Sequence, residues 1–584
     1  MIMNKLVFLT VLLASTLQTT TAIWKRKTHH FNWEIGYVFW SPDCQQNMMI
    51  GINGQFPGPT IRAKAGDIIV VEVKNTLPTE GVVIHWHGIR QYGTPWSDGT
   101  ASISQCPINP EETYVYRYTV DKPGTYFYHG HFGMQRSAGL YGSLIVDVAD
   151  GEKEPFNYDG ELNLLLSDWY HENVFSQMTG LSSSPFRWIG EPQSILINGR
   201  GQYGCSLAGG IQNGGSRKCD VANMTGTQCR PVMFLVEPKK TYRIRIASTT
   251  SLASLNMAIG EHKMTVVEAD GNYVKPFRVT DLDIYSGESY SVLIATRKKR
   301  SSNFWINVGV RGRKPATPPA MAILNYKPSL DYKLPKSRPP VTPQWNDFAR
   351  SKSFTYKLRA RRGTLKNHAL TVNRRIELLN TQNKMNGNYL KWAINNVSLV
   401  LPPTPYLGAL KYGLKGTFDA DSPPETFPKS YNVMAPAQNP NTTQSSNIYV
   451  LEFNRTVDVI LQNANALAEN VSEVHPWHLH GHDFWVLGYG DGKFRKEKDI
   501  PRFNLKNPPL KNTVVVFPYG WTAIRFIADN PGVWAFHCHI EPHLHMGMGV
   551  VVSEGIDLLG DVPKEALACG KTGTELMNTT FTSP

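Results

Sequence analysis

Apolar and polar positions along this chain alternate in short runs. Ile68–Val73, Tyr114–Tyr118, Tyr242–Ile246, Tyr290–Ala295 and Ala523–Ile527 are rich in β-branched and aromatic residues, with turns of Gly, Pro and Asn between such runs. No stretch sustains a helical period. Many short strands at this spacing predict an all-β chain built of sandwiches or barrels.

An internal repeat groups these strands. DKPGTYFYHGH (Asp121–His131) matches DNPGVWAFHCH (Asp529–His539) at Asp, Pro, Gly, two aromatic sites and both histidines, and IHWHG (Ile84–Gly88) echoes WHLHG (Trp477–Gly481). A weaker copy, SGESYSVLIAT (Ser286–Thr296), is similar to NPEETYVYRYT (Asn109–Thr119) but has no histidine. The repeat predicts three related β domains, with metal chemistry in the first and third and a spacer between them. The expected boundaries are 1–22 for a signal peptide, 23–152, 153–345 and 346–584, with the Pro-rich Lys327–Pro343 at the second boundary. A chain of 584 residues is long enough for several cores.

Composition adds the compartment. Lys5, the apolar run Leu6–Ala14 and small residues as far as Ala22 read as an export signal, too short for the ~20 residues of a membrane span. The tail Thr572–Pro584 lacks the apolar run of a lipid-anchor signal. Six glycosylation sequons, at Asn223, Asn396, Asn441, Asn454, Asn470 and Asn578, agree with export to the extracellular, cell-wall space. Seven cysteines leave one over in an oxidising compartment, which predicts a separate task for it. The net charge is +13, with basic clusters at Arg297–Arg300, Arg311–Lys314 and Lys357–Arg362. These read as solvated loops; a functional role would be attraction to anionic substrates or acidic extracellular polymers. No base-stacking motif accompanies the charge, which argues against nucleic acid.

Eight of the 17 histidines fall in four H-x-H pairs: His85/His87, His129/His131, His478/His480 and His537/His539. On a strand, residues i and i+2 share a face, so each pair aims two imidazoles at one site. Imidazole suits copper, zinc and iron. Strand alternation turns Cys538, bracketed by His537 and His539, to the opposite face. A thiolate on one face would then be joined covalently to histidine ligands on the other, a short electron path that a hydrolytic zinc site does not need. His475, His543 and Met548 complete the donor set of a blue-copper centre around Cys538.

HWHG, YHGHFGMQRSAGLYG, HPWHLHGHDFWVLGYG and WAFHCHIEPHLHMGMGV resemble the four copper-binding segments of multicopper oxidases, and the last two most resemble those of ascorbate oxidases. The resemblance runs from GINGQFPGPTI (Gly51–Ile61) through RWIGEPQSILINGRG (Arg187–Gly201) to the C-terminus. It implies three cupredoxin-like Greek-key β-sandwich domains and four coppers. On the matching positions, type 1 copper takes His475, Cys538, His543 and Met548; the type 3 pair takes His87, His129, His131, His480, His537 and His539; type 2 takes His85 and His478. Every ligand position is filled. The remaining histidines are read as surface residues or as neighbours of ligands. The resemblance also suggests disulfides Cys44–Cys229, Cys106–Cys569 and Cys205–Cys219.

The implied reaction is one-electron oxidation of L-ascorbate coupled to reduction of dioxygen to water. Asp98 and Glu541 match carboxylates that relatives place near the three-copper cluster, and proton delivery is the expected role. Trp188 and Trp392 match two tryptophans lining a shallow donor pocket beside His543, where an indole stacks on a flat enediol lactone, and Glu473 would accept a hydrogen bond from the donor. The alternatives are a laccase acting on bulky phenols, a ferrous-iron oxidase with carboxylates flanking the type 1 histidines, and a non-catalytic cell-wall binding protein. The resemblance further implies a homodimer.

Overall fold

The structure is a computed structural model that describes residues 26–581 apart from 208–216, 220–229, 297–302, 327–333, 363–364, 366–370, 386–387 and 438–441. The expected signal peptide, Cys229, Asn223, Asn441, His368 and the cluster Arg297–Arg300 lie outside the described residues.

All five predicted runs are strands, and they belong to a seven-strand unit that occurs three times. The first unit comprises β1 (Thr28–Trp40), β2 (Ile61–Lys64), β3 (Ile68–Asn75), β4 (Ile84–His87), β5 (Thr113–Thr119), β6 (Gly124–Gly130) and β7 (Tyr141–Asp147). The second comprises β8 (Gly160–Trp169), β9 (Met233–Val236), β10 (Thr241–Ser248), β11 (Ser254–Ile259), β12 (Ser289–Ala295), β13 (Asn303–Arg311) and β14 (Ala320–Tyr326). The third comprises β15 (Arg374–Lys384), β16 (Tyr449–Leu451), β17 (Thr456–Asn463), β18 (His475–Leu479), β19 (Gly520–Ile527), β20 (Gly532–Cys538) and β21 (Gly549–Glu554).

Each unit is two packed sheets with one wiring. In one sheet β1 runs parallel to β3, and β3 antiparallel to β5. The triplets β8–β10–β12 and β15–β17–β19 repeat that pattern. In the other sheet β2 runs parallel to β7, and β7, β6 and β4 follow antiparallel. Strands β9–β14–β13–β11 and β16–β21–β20–β18 do the same. A strand pairing with a parallel neighbour and crossing between two sheets is Greek-key sandwich wiring.

The alternation seen in the sequence builds the cores. In β3 and β5 the residues Ile69, Val71 and Val73 and Tyr114, Tyr116 and Tyr118 point inward together. The second core gathers Ile244, Ile246, Tyr290, Val292 and Ile294. The third packs Val457, Val459, Leu461, Ile524 and Phe526 on Trp477, Trp534 and Cys538. His262 is buried against Phe304 and Tyr326 of the second core, its ring 2.6 Å from the Tyr326 hydroxyl, so it is neither a surface residue nor a neighbour of the histidine cluster.

Units one and three are tied directly. The Cys106–Cys569 disulfide spans 463 residues of sequence, and the backbone of Tyr406 and Leu407 bonds that of Ser102 and Ile103. Cys205–Cys219 closes a small loop, and Cys44 is also disulfide-bonded. Cys538 is the one free cysteine among the described residues, and it is buried. No helix among the described residues is long and apolar enough to cross a membrane.

Candidate metal centres

The repeat puts equivalent strands of units one and three face to face. His85 pairs across the sheet with His129 on β4 and β6, and His478 with His537 on β18 and β20. The two pairs of strands meet so that eight histidines converge in the closed interface between the units. His87, His129 and His539 form one group, His131, His480 and His537 a second, and His85 and His478 lie between them.

Hydrogen bonds fix which nitrogen of these rings faces inward. His85 Nδ1–H donates to the carbonyl of Asp98 at 2.8 Å, His478 Nδ1–H to that of Asn512 at 2.8 Å, and His537 Nδ1–H to that of Cys538 at 2.9 Å. His129 donates to Gly130 at 2.9 Å, and His480 Nδ1–H to the Asp98 carboxylate at 2.9 Å. Each of these rings therefore presents an unprotonated Nε2 to the interior. His87 is reversed: its Nε2 meets Thr513 Oγ1 at 3.2 Å, and its buried Nδ1 has no partner.

The consequence is a set of lone pairs aimed at one another. Nε2 of His85 and Nε2 of His478 are 3.3 Å apart, those of His480 and His537 are 3.1 Å apart, and those of His131 and His537 are 3.3 Å apart. His480 and His537 both donate through Nδ1, so as a neutral pair they have no proton to share between their Nε2 atoms. Burial, reinforced by the neighbouring charges, holds His87, His129, His131, His478, His480 and His539 far below the usual imidazole range, and His537 at about 3. Convergent neutral imidazoles with facing lone pairs call for cations, and an all-nitrogen donor set suits copper or zinc.

A different set occupies the other face of β20. Cys538 Sγ lies 3.8 Å from Nδ1 of His475 and 3.8 Å from Nδ1 of His543. Met548 is buried in the same core, its backbone paired with those of Cys538 and His543. Burial pushes the Cys538 thiol up and His475 down to about 3, so two neutral imidazoles face a thiol that ionises only against a cation. A thiolate with two imidazoles and a thioether is the donor set of a blue-copper centre. The residues thus fit copper at both sites.

Asp98 organises the cluster from a loop. Its carbonyl and carboxylate orient two different histidines, and its Oδ2 also accepts from Thr100 Oγ1 at 3.0 Å. The fully buried Oδ1 is without a hydrogen bond and sits 3.3 Å from His85 Nδ1. The tight turn depends on Gly99, at φ +77°, where a Cβ would lie 1.7 Å from the Ile84 carbonyl. Glu541 is engaged by donors: it accepts from the backbone of Arg136 at 3.0 Å, and from the backbone and hydroxyl of Ser137 at 2.8 and 2.7 Å. It ties unit one to the turn after His539, and burial raises its carboxyl above the ordinary range.

Two tryptophans flank the Cys538 site. The Trp392 ring lies 4.6 Å from that of His543 and 4.9 Å from that of His475; the Trp188 ring lies 6.0 Å from that of His543. Trp392 is buried with an unpartnered indole N–H, and Trp188 is half-buried at the edge. Glu473 Oε2 lies 3.3 Å from His543 Nε2, which leaves Nδ1 free to face Cys538. Burial works to raise Glu473, but the charge of Arg313 and the bond to His543 outweigh it and hold the carboxyl well below its usual range.

Several functional neighbours carry no sequence signal of their own. Arg313 bonds Glu473 at 2.7 Å and Glu191 at 2.8 Å and covers the Trp188 ring, while Arg311 is buried against Asp283. The Arg311–Lys314 run is therefore not the solvated loop its composition suggests: its arginines are consumed by carboxylates in the fold. Arg136 packs on the His539 ring and bonds its carbonyl at 2.6 Å. From unit two, Ser286 Oγ lies 2.8 Å from His539 Nδ1, and Gly287 lies flat against the same ring.

Comparison with known proteins places this arrangement. Residues 34–151, 160–329 and 414–557 each match a multicopper oxidase family model. The chain is 64% identical over 546 residues to an L-ascorbate oxidase of Cucumis sativus, covering 94% of this chain and 92% of that one. It is 61% identical to an L-ascorbate oxidase of Nicotiana tabacum, covering 98% of each, and 32% identical to Laccase-12 of Arabidopsis thaliana, covering 88% and 90%. Among solved structures, Fet3p, a multicopper oxidase that functions in iron import, superposes with a TM-score of 0.74 at 25% identity, covering 95% of this chain and 96% of that one. The laccase of Botrytis aclada superposes at 0.71 and 25% identity, covering 96% and 93%. With its three sandwiches and its two sets of copper-suited donors, this chain belongs to the multicopper oxidase family.

Proposed function

We propose that this chain is an L-ascorbate oxidase, taking electrons singly from ascorbate and reducing dioxygen to water. The observation that carries the reading is the continuity of the path: two tryptophans stand against His543, His543 faces Cys538, and Cys538 is bonded through the backbone to His537 and His539. Identity of 61–64% to ascorbate oxidases, against 32% to laccases, supports the donor.

In this reading one copper is held by His475, Cys538, His543 and Met548; two by His87, His129, His131, His480, His537 and His539; and the fourth by His85 and His478. When bound, copper supplies one-electron redox chemistry at the first site and dioxygen reduction at the others. The chain supplies the rest. Strand alternation holds the thiol on one side of β20 and the imidazoles on the other, and the His537 bond to the Cys538 carbonyl closes a second short link between them. Asp98 fixes two imidazoles and keeps one oxygen free, which suits it to pass protons inward; Glu541, with every oxygen engaged, would exchange protons only as its Ser137 contacts open. Trp188 and Trp392 give the donor a flat surface, and Glu473, held in place by Arg313 and bonded to His543, can accept from an enediol hydroxyl.

The domains follow the three units, 23–152, 153–345 and 346–584, after a signal peptide at 1–22 that sends the protein to the extracellular, cell-wall space. Asn396, Asn454 and Asn470 are exposed and open to glycosylation. Oxygen uptake by copper-loaded enzyme, with ascorbate and with a bulky phenol, tests the assignment. Expected is a strong preference for ascorbate in kcat/KM that falls on Trp188→Ala or Trp392→Ala. A phenol preference indifferent to both substitutions overturns the donor and favours a laccase.

A further inference from the structure

Two open clefts run along the outer edge of unit two, away from both donor sets. One, of about 550 Å³, is lined in part by Lys263, Arg278 and Lys357; the other, of about 680 Å³, is lined by Lys275, Arg361, Arg362 and Lys506 and, among the described residues, by no acidic one. One stretch of backbone joins them. Residues 357–362 lie along the edge strand Asn272–Val279: Lys275 N donates to the Arg359 carbonyl at 2.8 Å, and Arg361 N to that of Tyr273 at 3.3 Å. Ala360 N in turn donates to the carbonyl of Asn507, which brings Lys506 alongside. Lys275 and Arg278, three residues apart on an extended strand, span ~10 Å.

The charge on this strip is uncompensated. The first cleft holds two carboxylates, but Asp281 is bonded to Arg350 and Asp283 to Arg311. All seven cations named above are exposed, and none has a side-chain partner among the described residues. That contrasts with Arg243, Arg311 and Arg313, each buried or half-buried against a carboxylate. Seven exposed cations without a side-chain partner thus lie along two neighbouring clefts on one edge.

We propose that this strip binds a carboxylated polysaccharide, a polyuronate chain laid along the two clefts. A compact anion would occupy only one of the two clefts. Among the described residues no exposed aromatic side chain lines either cleft, so nucleic-acid bases find no stacking platform there. Among the described residues no large exposed apolar side chain lines them either, so a lipid surface finds no anchor there. Regular carboxylates on a hydrated chain match what is present, which is charge alone, and binding of that kind is screened by salt. Meeting such a polymer in the organism rests on the export proposed above; binding it in solution does not.

The test is retention of the copper-loaded enzyme on immobilised polygalacturonate and on its fully methyl-esterified, neutral form. Three proteins are compared: the wild type, the triple variant Lys275→Glu/Arg361→Glu/Lys506→Glu, and a control that reverses three exposed lysines of unit three, Lys384→Glu/Lys415→Glu/Lys564→Glu. Expected is salt-reversible retention of the wild type on the acidic matrix only, weakened at least about tenfold by the strip variant and much less by the control of equal net charge. Oxygen uptake with ascorbate stays unchanged in all three, which certifies folding. Equal loss in both variants reduces the effect to net charge and overturns the site. Stronger strip-dependent binding to duplex DNA or anionic vesicles overturns the polymer class. If retention depends on the strip while ascorbate is not oxidised, the enzyme assignment fails and the binding site stands.

Discussion

The second unit has the same seven strands and the same pairings as the first and third, but different side chains where the chemistry lies. Strands β4 and β6 face His85 to His129, and β18 and β20 face His478 to His537; the corresponding β11 and β13 face Leu255 to Val310 and Met257 to Val308. The wiring therefore does not require the histidines. An aliphatic pair satisfies the same sheet and adds to the core, whereas the imidazoles must be desolvated and aimed at one another. What unit two contributes is support from outside. Ser286 and Gly287 hold the His539 ring, and Asp270 accepts from the backbone of Asn512 and Thr513, the residues that fix His478 and His87. A buried lysine, Lys511 of unit three, lies between Asp270 and Glu288 of unit two and locks the two units together.

Three substitutions or conditions sharpen this contrast. The largest effect belongs to Asp98, inside the histidine units. Asp98→Ala removes a carboxylate from His480 and is expected to lower turnover about 100-fold, with an altered pH profile, while the blue absorption of the Cys538 site persists. Turnover unchanged across pH would remove Asp98 from the mechanism.

A smaller effect is expected from the spacer. In Gly287→Ala a Cβ would stand 2.9–3.1 Å from the His539 ring at φ +88°, so the ring must move. Copper content at the cluster and oxygen uptake should fall about tenfold, with the blue band intact. A variant with full copper and full uptake would make unit two a passive spacer after all.

The third expectation concerns acid. Unfolded imidazoles take a proton near 6.5, whereas folded His475 and His537 do so only at about 3. Between these values the unfolded chain binds more protons, so the copper-free protein is at full stability above about pH 6.5 and loses it as pH falls toward 3. Thermal denaturation of copper-free enzyme across this range reads the effect, and a midpoint that rises on acidification would contradict the buried, neutral cluster.

What could be read from sequence followed the range of the interactions. H-x-H on a strand is a local signal, because alternation alone places both imidazoles on one face, and Cys538 opposite its neighbours follows by the same rule. Trp188 and Trp392 needed the resemblance, since a tryptophan by itself suggests only core. Arg313 was hidden in a run of basic residues, because its carboxylates, Glu191 and Glu473, are 122 and 160 positions away. Ser286 and Gly287 were invisible for a similar reason: they act on His539, 253 residues on from Ser286, from a unit whose own strands have no histidine.

The central claim is that one strand, β20, joins two separate copper sites back to back. The most direct test is copper content, blue absorption and oxygen uptake with ascorbate, measured together on the wild type and on Cys538→Ser. The account predicts four coppers and an intense blue band in the wild type. It predicts one copper fewer, no blue band and no ascorbate-driven uptake in the variant, with the histidine cluster still loaded. A variant that still oxidises ascorbate, or a wild type that is colourless when fully loaded, would contradict it.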